Sequence, residues 1–291
     1  VIRSATKVTE DLLEVAKKLK VVGRAGIGLD NVDIPAATKR GVVVMNTPGG
    51  NVVTTAEHAI AMILSLSRNI PKGTSSLKAG KWDKKKLQGR EIYNKVLGVI
   101  GFGKIGSIVA DRARGLKMRV VVHDPFVTPD QIEKAGFESV SLEDLYRRSD
   151  YITVHVPKLK STTGLINTDS LSQMKDGVMI VNCARGGIVD EDDLYAAMKS
   201  GKVAGAALDV FETEPLPPES PLWSLDNVIL SPHVSGFTPE YDERAVDLLC
   251  ENMRLYLARK VMPEYRDRPI SLWHRPKNKR KKATDQDAQS L

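Results

Sequence analysis

From Val96 onward, short β-branched runs alternate with amphipathic stretches, and this period constrains the fold more than any other feature of the chain. Residues 96–101, 119–124, 151–156, 178–182, 204–210 and 228–230 read as strands. Residues 104–115, 142–148 and 191–200 read as helices, and 171–174 precede the strand at 178–182. Strands that alternate with crossover helices pair in parallel, so the pattern specifies an α/β, doubly wound parallel sheet. A ligand site in such a sheet lies at the carboxyl ends of the strands. Upstream, 20–23 and 41–45 read as strands and 9–19 as a helix. A turn cluster at 47–51 leads into an apolar helix over 53–67, with Pro71 and Gly73 marking its end. Residues 74–95 read as a polar, basic connecting arm, and 240–257 as a closing helix.

The segment Gly101-Phe102-Gly103-Lys104-Ile105-Gly106 follows a strand and opens a helix, the context in which a G-x-G-x-x-G sequence has a mechanism. Gly101 permits the tight turn, Gly103 lets a pyrophosphate approach the backbone, and Gly106 lets helix and strand pack closely. The helix N-terminus supplies amide donors and the positive end of a dipole. Asp124 ends the next strand, 18 residues beyond Gly106. A carboxylate there accepts from ribose hydroxyls and repels a 2′-phosphate, which selects NAD over NADP. The alternative is a plain glycine-rich turn with Asp124 as a strand-end residue.

Composition excludes other classes. The 291 residues are 42% hydrophobic and 27% charged, neither disordered nor membrane-like. No apolar run approaches the roughly 18 residues of a membrane span. Two cysteines, Cys183 and Cys250, are too few for a disulfide framework and suit a reducing cytoplasm. The net charge is +7, but residues 266–291 hold eight Lys/Arg against three Asp/Glu, so most of the excess sits in the tail. A tail of this kind, 261–291, reads as a disordered basic end and leaves a nucleic-acid partner unsupported. No His, Cys or carboxylate set has metal spacing, so no metal is expected.

Three polar residues follow three strands of the sheet and form a candidate catalytic set. Arg185 follows the strand at 178–182, and its planar fork suits a carboxylate. Glu214 follows the strand ending at 210, and His233 the strand at 228–230. A histidine titrates in the range useful for general acid–base work, and a carboxylate partner favours its imidazolium. Taken singly, each has a bland reading: a loop histidine, a surface charge before a proline, a structural hydrogen bonder. His58 reads as a packed or capping residue of the apolar helix, and His155 as support for the loop that follows its strand.

Several segments together resemble the D-isomer-specific 2-hydroxyacid dehydrogenase family: residues 98–106, 155–157, 182–194, 207–215 and 231–236. The signature Asn182-Cys183-Ala184-Arg185-Gly186-Gly187-Ile188-Val189-Asp190-Glu191 is highly specific, and the likeness runs over roughly residues 1–258. The resemblance implies an NAD-dependent oxidoreductase in which Arg185 binds and polarises substrate, Glu214 assists the histidine, and His233 is the acid/base. It also implies NAD contacts from Lys104, Ile105, Asp124, Val156, Cys183, Ala184, Arg185, Asp209, His233 and Gly236, beside Gly101, Gly103 and Gly106. The segments at 3–9, 24–33 and 45–51 resemble the branch of the family that acts on 3-phosphoglycerate in serine biosynthesis. That resemblance implies that the amides of Ile27 and Gly28 receive the substrate carboxylate and that Arg3 and Arg24 face the phosphate.

The implied organisation is a Rossmann-type NAD domain over 50–236 and a smaller flavodoxin-like α/β substrate domain built from 1–47 and a returning helix at 239–260. The site is expected where the two domains meet, and a homodimer is expected through the NAD domain, the arm at 74–95 included. The chain departs from the family in beginning after its usual first strand–helix units, as an N-terminally short fragment would. No regulatory domain of the kind some family members carry is expected to follow, and Gly236-Phe237-Thr238-Pro239-Glu240-Tyr241 resembles other hydroxyacid reductases more than the phosphoglycerate branch. A reductase of glyoxylate, hydroxypyruvate or another 2-keto acid is therefore the second functional reading. A non-catalytic NAD-binding regulator or inactive fragment is the third.

Overall fold

The computed structural model describes residues 1–257 apart from Ser4, and the expected basic tail lies outside the described residues. The described residues divide into two compact units, one of residues 1–51 with those from 237 on and the other of residues 52–236.

The first unit opens with helix α1, Glu10–Val15, whose first turn is capped by the Thr9 hydroxyl accepting from the Leu12 N–H. Strand β1 (Val21–Gly23) and strand β2 (Val43–Met45) pair in parallel, and Ile2 adds a bridge beside Arg24. Between them runs helix α2, Ile34–Lys39, capped by Asp33 Oδ1 accepting from the Ala36 N–H at 2.9 Å. This short helix has too few residues for a period to show, so hydrophobic spacing misses it. Period-2 alternation sorts the side chains of β1 and β2. Val22 and Val44 join Leu13, Ala36 and Ala37 on one face, while Val43 and Met45 meet Tyr241, Ala245 and Leu249 on the other.

The second unit begins with helix α3 (Val52–Ser67) and, after Asn69 in the left-handed region at φ 52°, helix α4 (Ile70–Lys78). This differs from the expectation that Pro71 and Gly73 end the helical stretch and that 74–95 is only a connecting arm. Pro71 occupies the first turn of α4, where its missing N–H costs nothing, so the residue that reads as a stop is a start. Next come β3 (Val96–Ile100), α5 (Lys104–Gly115), β4 (Arg119–His123), α6 (Pro129–Lys134), β5 (Glu138–Ser139), α7 (Leu142–Arg148) and β6 (Tyr151–Val154). They are followed by α8 (Thr168–Gln173), β7 (Val178–Asn182), α9 (Glu191–Ser200), β8 (Val203–Leu208) and β9 (Val228–Leu230). Helix α10, Pro239–Leu257, then belongs to the first unit.

The seven strands of the second unit run in the order β5-β4-β3-β6-β7-β8-β9, every pair parallel, so the α/β doubly wound reading holds. After β3 the chain steps to β4 on one side and later returns to β6 on the other, which makes the end of β3 the switch point of the sheet. Both faces are buried. Val178 and Ile180 point into one core with Leu145, Ile152 and Leu194, while Met179 and Val181 point into another with Ile63, Leu66 and Val109. Among the described residues no helix is long and apolar enough to cross a membrane.

Gly98 in the middle of β3 is required by the approach of α7. A Cβ there would overlap Ser149 Oγ and stand 2.6 Å from Leu145 Cδ2. Gly98→Ala is expected to keep the fold but lower stability by about 1–3 kcal/mol, the usual cost of overpacking, read as a lower urea midpoint at unchanged slope.

Candidate active site

Three turns at the carboxyl ends of β3, β7 and β8 and the turn after β9 carry the polar residues singled out above. The turn after β3 is shaped by steric necessity. Gly101 sits at φ 95°, and a Cβ on it would lie 2.7 Å from the His155 carbonyl oxygen and 2.8 Å from Val156 Cγ1. A Cβ on Gly106 would collide with the Gly101 carbonyl. Gly103 is different: among the described residues a Cβ there would meet nothing within 4 Å beyond its chain neighbours. Gly103 is also the N-cap of α5, with no side chain capping the helix and no acid in its first turn. The amides of Lys104 and Ile105 open the helix without a side-chain cap, the kind of terminus that binds a pyrophosphate. Asp124 closes the other side. Its Oδ2 accepts from the Phe102 N–H at 2.7 Å, and its Oδ1 from the Phe126 and Val127 amides at 2.8 and 3.2 Å. These bonds hold the carboxylate beside the glycine turn, the place a ribose diol needs it. The group this cradle fits is a dinucleotide.

His155 directly follows β6. Its Nε2 lies 2.9 Å from Thr153 Oγ1, and desolvation pulls its imidazole down to about 4, so it stays neutral at physiological pH.

The turn after β7 is clamped by Asn182, a fully buried residue that sequence reading passes over because it stands at the end of an apolar run. Its Oδ1 accepts from the Ala184 N–H and its Nδ2 donates to the Arg185 carbonyl, both at 3.0 Å. Cys183 is buried there, and burial together with the charge of Asp209 pushes its thiol far up, so it is inert as a nucleophile. A Cβ on Gly186 would overlap the Phe211 carbonyl, so this turn rests directly on the one that carries Glu214.

His233 and Glu214 meet. His233 Nδ1 lies 2.7 Å from Glu214 Oε2, while Glu214 Oε1 accepts from the Phe211 N–H at 3.1 Å. Burial alone would raise the Glu214 carboxyl, but His233, the Phe211 amide and the charge of Arg185 together hold it below its ordinary value. Glu214 is therefore ionised throughout the neutral range. Arg185 Nη1 donates to the Ala184 carbonyl at 2.7 Å. Asp209 is fully buried and braces the turn after β9: Oδ1 accepts from Ser231 Oγ at 2.6 Å and the Val234 N–H at 2.9 Å, and Oδ2 from the Ser235 N–H at 2.8 Å. Gly236 ends this turn and the unit.

The remaining candidates lie in the first unit. Arg3 forms an ion pair with Asp242 of α10 at 2.8 Å and stacks its guanidinium 5.8 Å from the rings of Phe237 and Tyr241. Arg24 Nε donates to Asn31 Oδ1 at 3.3 Å, and Asn31 Nδ2 donates to the Arg3 carbonyl at 2.8 Å, which ties the two segments together. Asn46 Nδ2 donates to the Ile27 carbonyl at 2.7 Å and fixes the Ile27–Gly28 turn.

The family model for the D-isomer specific 2-hydroxyacid dehydrogenase NAD binding domain matches residues 60–235. The chain belongs to this family. It is 53% identical over 240 residues to the D-3-phosphoglycerate dehydrogenase of Archaeoglobus fulgidus, covering 82% of this chain and 46% of that relative. It spans about half the length of the curated relatives it matches. Among solved structures it resembles the D-lactate dehydrogenase of Aquifex aeolicus complexed with NAD and lactic acid, at 33% identity and TM-score 0.78, over 88% of this chain and 81% of the other. It likewise resembles a glyoxylate reductase from Paecilomyes thermophila, at 33% identity and TM-score 0.79, over 89% of this chain and 80% of the other. NAD is thus the dinucleotide that fits the turn after β3. Asp124→Ser is expected to weaken NADH binding about 10-fold or more, the loss of charge-assisted hydrogen bonds, and to narrow the preference over NADPH; nucleotide fluorescence titration reads both.

Proposed function

We propose that this protein is an NAD-dependent D-2-hydroxyacid dehydrogenase whose substrate is 3-phosphoglycerate. The observation that carries the chemistry is the 2.7 Å contact between His233 Nδ1 and Glu214, in a turn cluster that also holds Arg185. Glu214 engages Nδ1, which orients the ring and leaves Nε2 as the atom that exchanges a proton with the substrate hydroxyl. When hydride leaves the hydroxyl carbon, His233 takes the hydroxyl proton, and in the reverse direction it returns it. The ionised Glu214 stabilises the imidazolium formed in between. Arg185 supplies the cation that holds the substrate carboxylate and polarises the developing carbonyl. NAD, when bound, supplies the hydride acceptor. The phosphorylated substrate is supported by the relatives named D-3-phosphoglycerate dehydrogenase and by Arg24 beside the Ile27–Gly28 turn.

One observation favours the second reading, a reductase of glyoxylate, hydroxypyruvate or another unphosphorylated 2-keto acid. Arg3, one of the two cations assigned to the phosphate, already faces the carboxylate of Asp242. The deciding assay is NADH formation with 3-phosphoglycerate beside NADH consumption with phosphohydroxypyruvate, hydroxypyruvate and glyoxylate. Turnover confined to the phosphorylated pair is expected, and turnover with unphosphorylated acids alone moves the assignment to the second reading. His233→Ala is expected to lower kcat by about 10³-fold or more while leaving NADH affinity within about twofold. Turnover that survives this change removes His233 from the mechanism.

The protein is further proposed to act as a homodimer through its NAD unit, in a cytoplasm that keeps Cys183 and Cys250 reduced. Ile70 and Leu77 of α4, with Trp82 and Tyr93 of the segment that joins it to β3, are all more than half exposed, apolar side chains that a second copy would cover. Light scattering is expected to give twice the chain mass for the wild type and a monomer for the Leu77→Glu/Trp82→Glu double variant. A monomeric wild type ends this proposal.

A further inference from the structure

Among the described residues Asp209 is the only carboxylate in the buried interior, and a buried charge is tolerated only where donors surround it. Three of those donors belong to the turn after β9: the Ser231 hydroxyl and the amides of Val234 and Ser235. The fourth comes from far away in sequence. His58 of α3 places Nε2 3.4 Å from Ser231 Oγ and 3.5 Å from Asp209 Oδ1. Neighbouring Ala59, with Ile63 and Leu66, packs α3 onto the face of the sheet that includes Ala207, so the helix delivers the imidazole to the ends of β8 and β9. Because the Ser231 hydroxyl donates to Asp209, an Nε2–H of His58 can donate to Ser231 Oγ or to Asp209 Oδ1 without conflict.

The amides gripped by Asp209 lie one and two residues after His233. His233 itself holds a left-handed backbone at φ 53°, which a residue with a Cβ adopts only where its surroundings enforce it. We propose that His58 is a positioning residue for His233: acting through Ser231 and Asp209, it holds the strained turn that aims His233 at Glu214. This inference rests on the acid/base reading of His233. His58 touches neither Glu214 nor His233 in any contact of the described residues, so its effect passes through the buried carboxylate.

Three variants of the full chain test it: His58→Leu, which keeps bulk and removes the polar hydrogen; His58→Gln, which restores an N–H at similar reach; and Ser231→Ala, which breaks the link from the other side. The readouts are kcat and KM with the 2-keto acid the wild type reduces, NADH affinity, and amide hydrogen exchange of the peptide 231–236 against peptides of β3 and β7. His58→Leu is expected to lower kcat about 10-fold, the equivalent of one lost hydrogen bond to a charged group, with KM and NADH affinity within about twofold. Exchange in 231–236 is expected to quicken about 10-fold while β3 and β7 stay protected, and His58→Gln is expected to recover most of both. Wild-type kcat and wild-type protection of 231–236 in His58→Leu overturn the proposal. If that variant loses protection in β3 and β7 as well, Ser231→Ala decides, and unchanged kcat with unchanged loop exchange there overturns it equally. A wild type silent with every substrate overturns the acid/base reading instead, and the exchange measurement still tests the brace by itself.

Discussion

A parallel sheet must be covered on both faces, and everything in the larger unit follows from that requirement. Its central strands, β3, β6 and β7, are buried residue by residue, and helices on either side supply the two cores. Because all seven strands point the same way, every carboxyl end opens on one rim, and the polar turns have nowhere else to go. Gly101 and Gly106 of the turn after β3 and Gly186 of the turn after β7 stand where backbone meets backbone, so the rim is drawn together by contacts that no side chain could replace.

The electrostatics of that rim are arranged around two carboxylates with opposite duties. Glu214 is half exposed and lends its charge outward to His233, held ionised by His233, the Phe211 amide and Arg185 despite its partial burial. Asp209 is buried and turns its charge inward, where Ser231, Val234, Ser235 and His58 consume it in holding the backbone. Desolvation raises both carboxyls, and hydrogen bonds to the ionised form prevail in each. Both depressed groups favour the folded state above their unfolded values, and that contribution is lost as pH falls through the folded ones. One acid thus faces a histidine ring and the other holds backbone, a division that residue type alone does not reveal.

Much of this was legible from the chain. The strand–helix alternation after Val96, the glycine turn with Asp124, and the three polar residues after three strands all correspond to elements of the structure. What escaped was short or displaced: α2 and α6 have too few residues for a period, and Pro71 begins a helix instead of ending one. Asn182 and His58 also escaped as site residues, since one sits at the end of an apolar strand and the other on an apolar helix.

Residue order alone determined the parallel α/β class and the dinucleotide turn, because periodicity and backbone sterics act over a few neighbours, and it placed Arg185, Glu214 and His233 after three strands of one sheet. Tertiary structure alone decided that His233 meets Glu214 at 2.7 Å, that Asp209 faces inward, and that a histidine from α3 reaches a serine 173 residues away. Those pairings depend on which strands lie side by side and how closely their turns can approach. Both are properties of the packed sheet, and no local stretch of chain contains them.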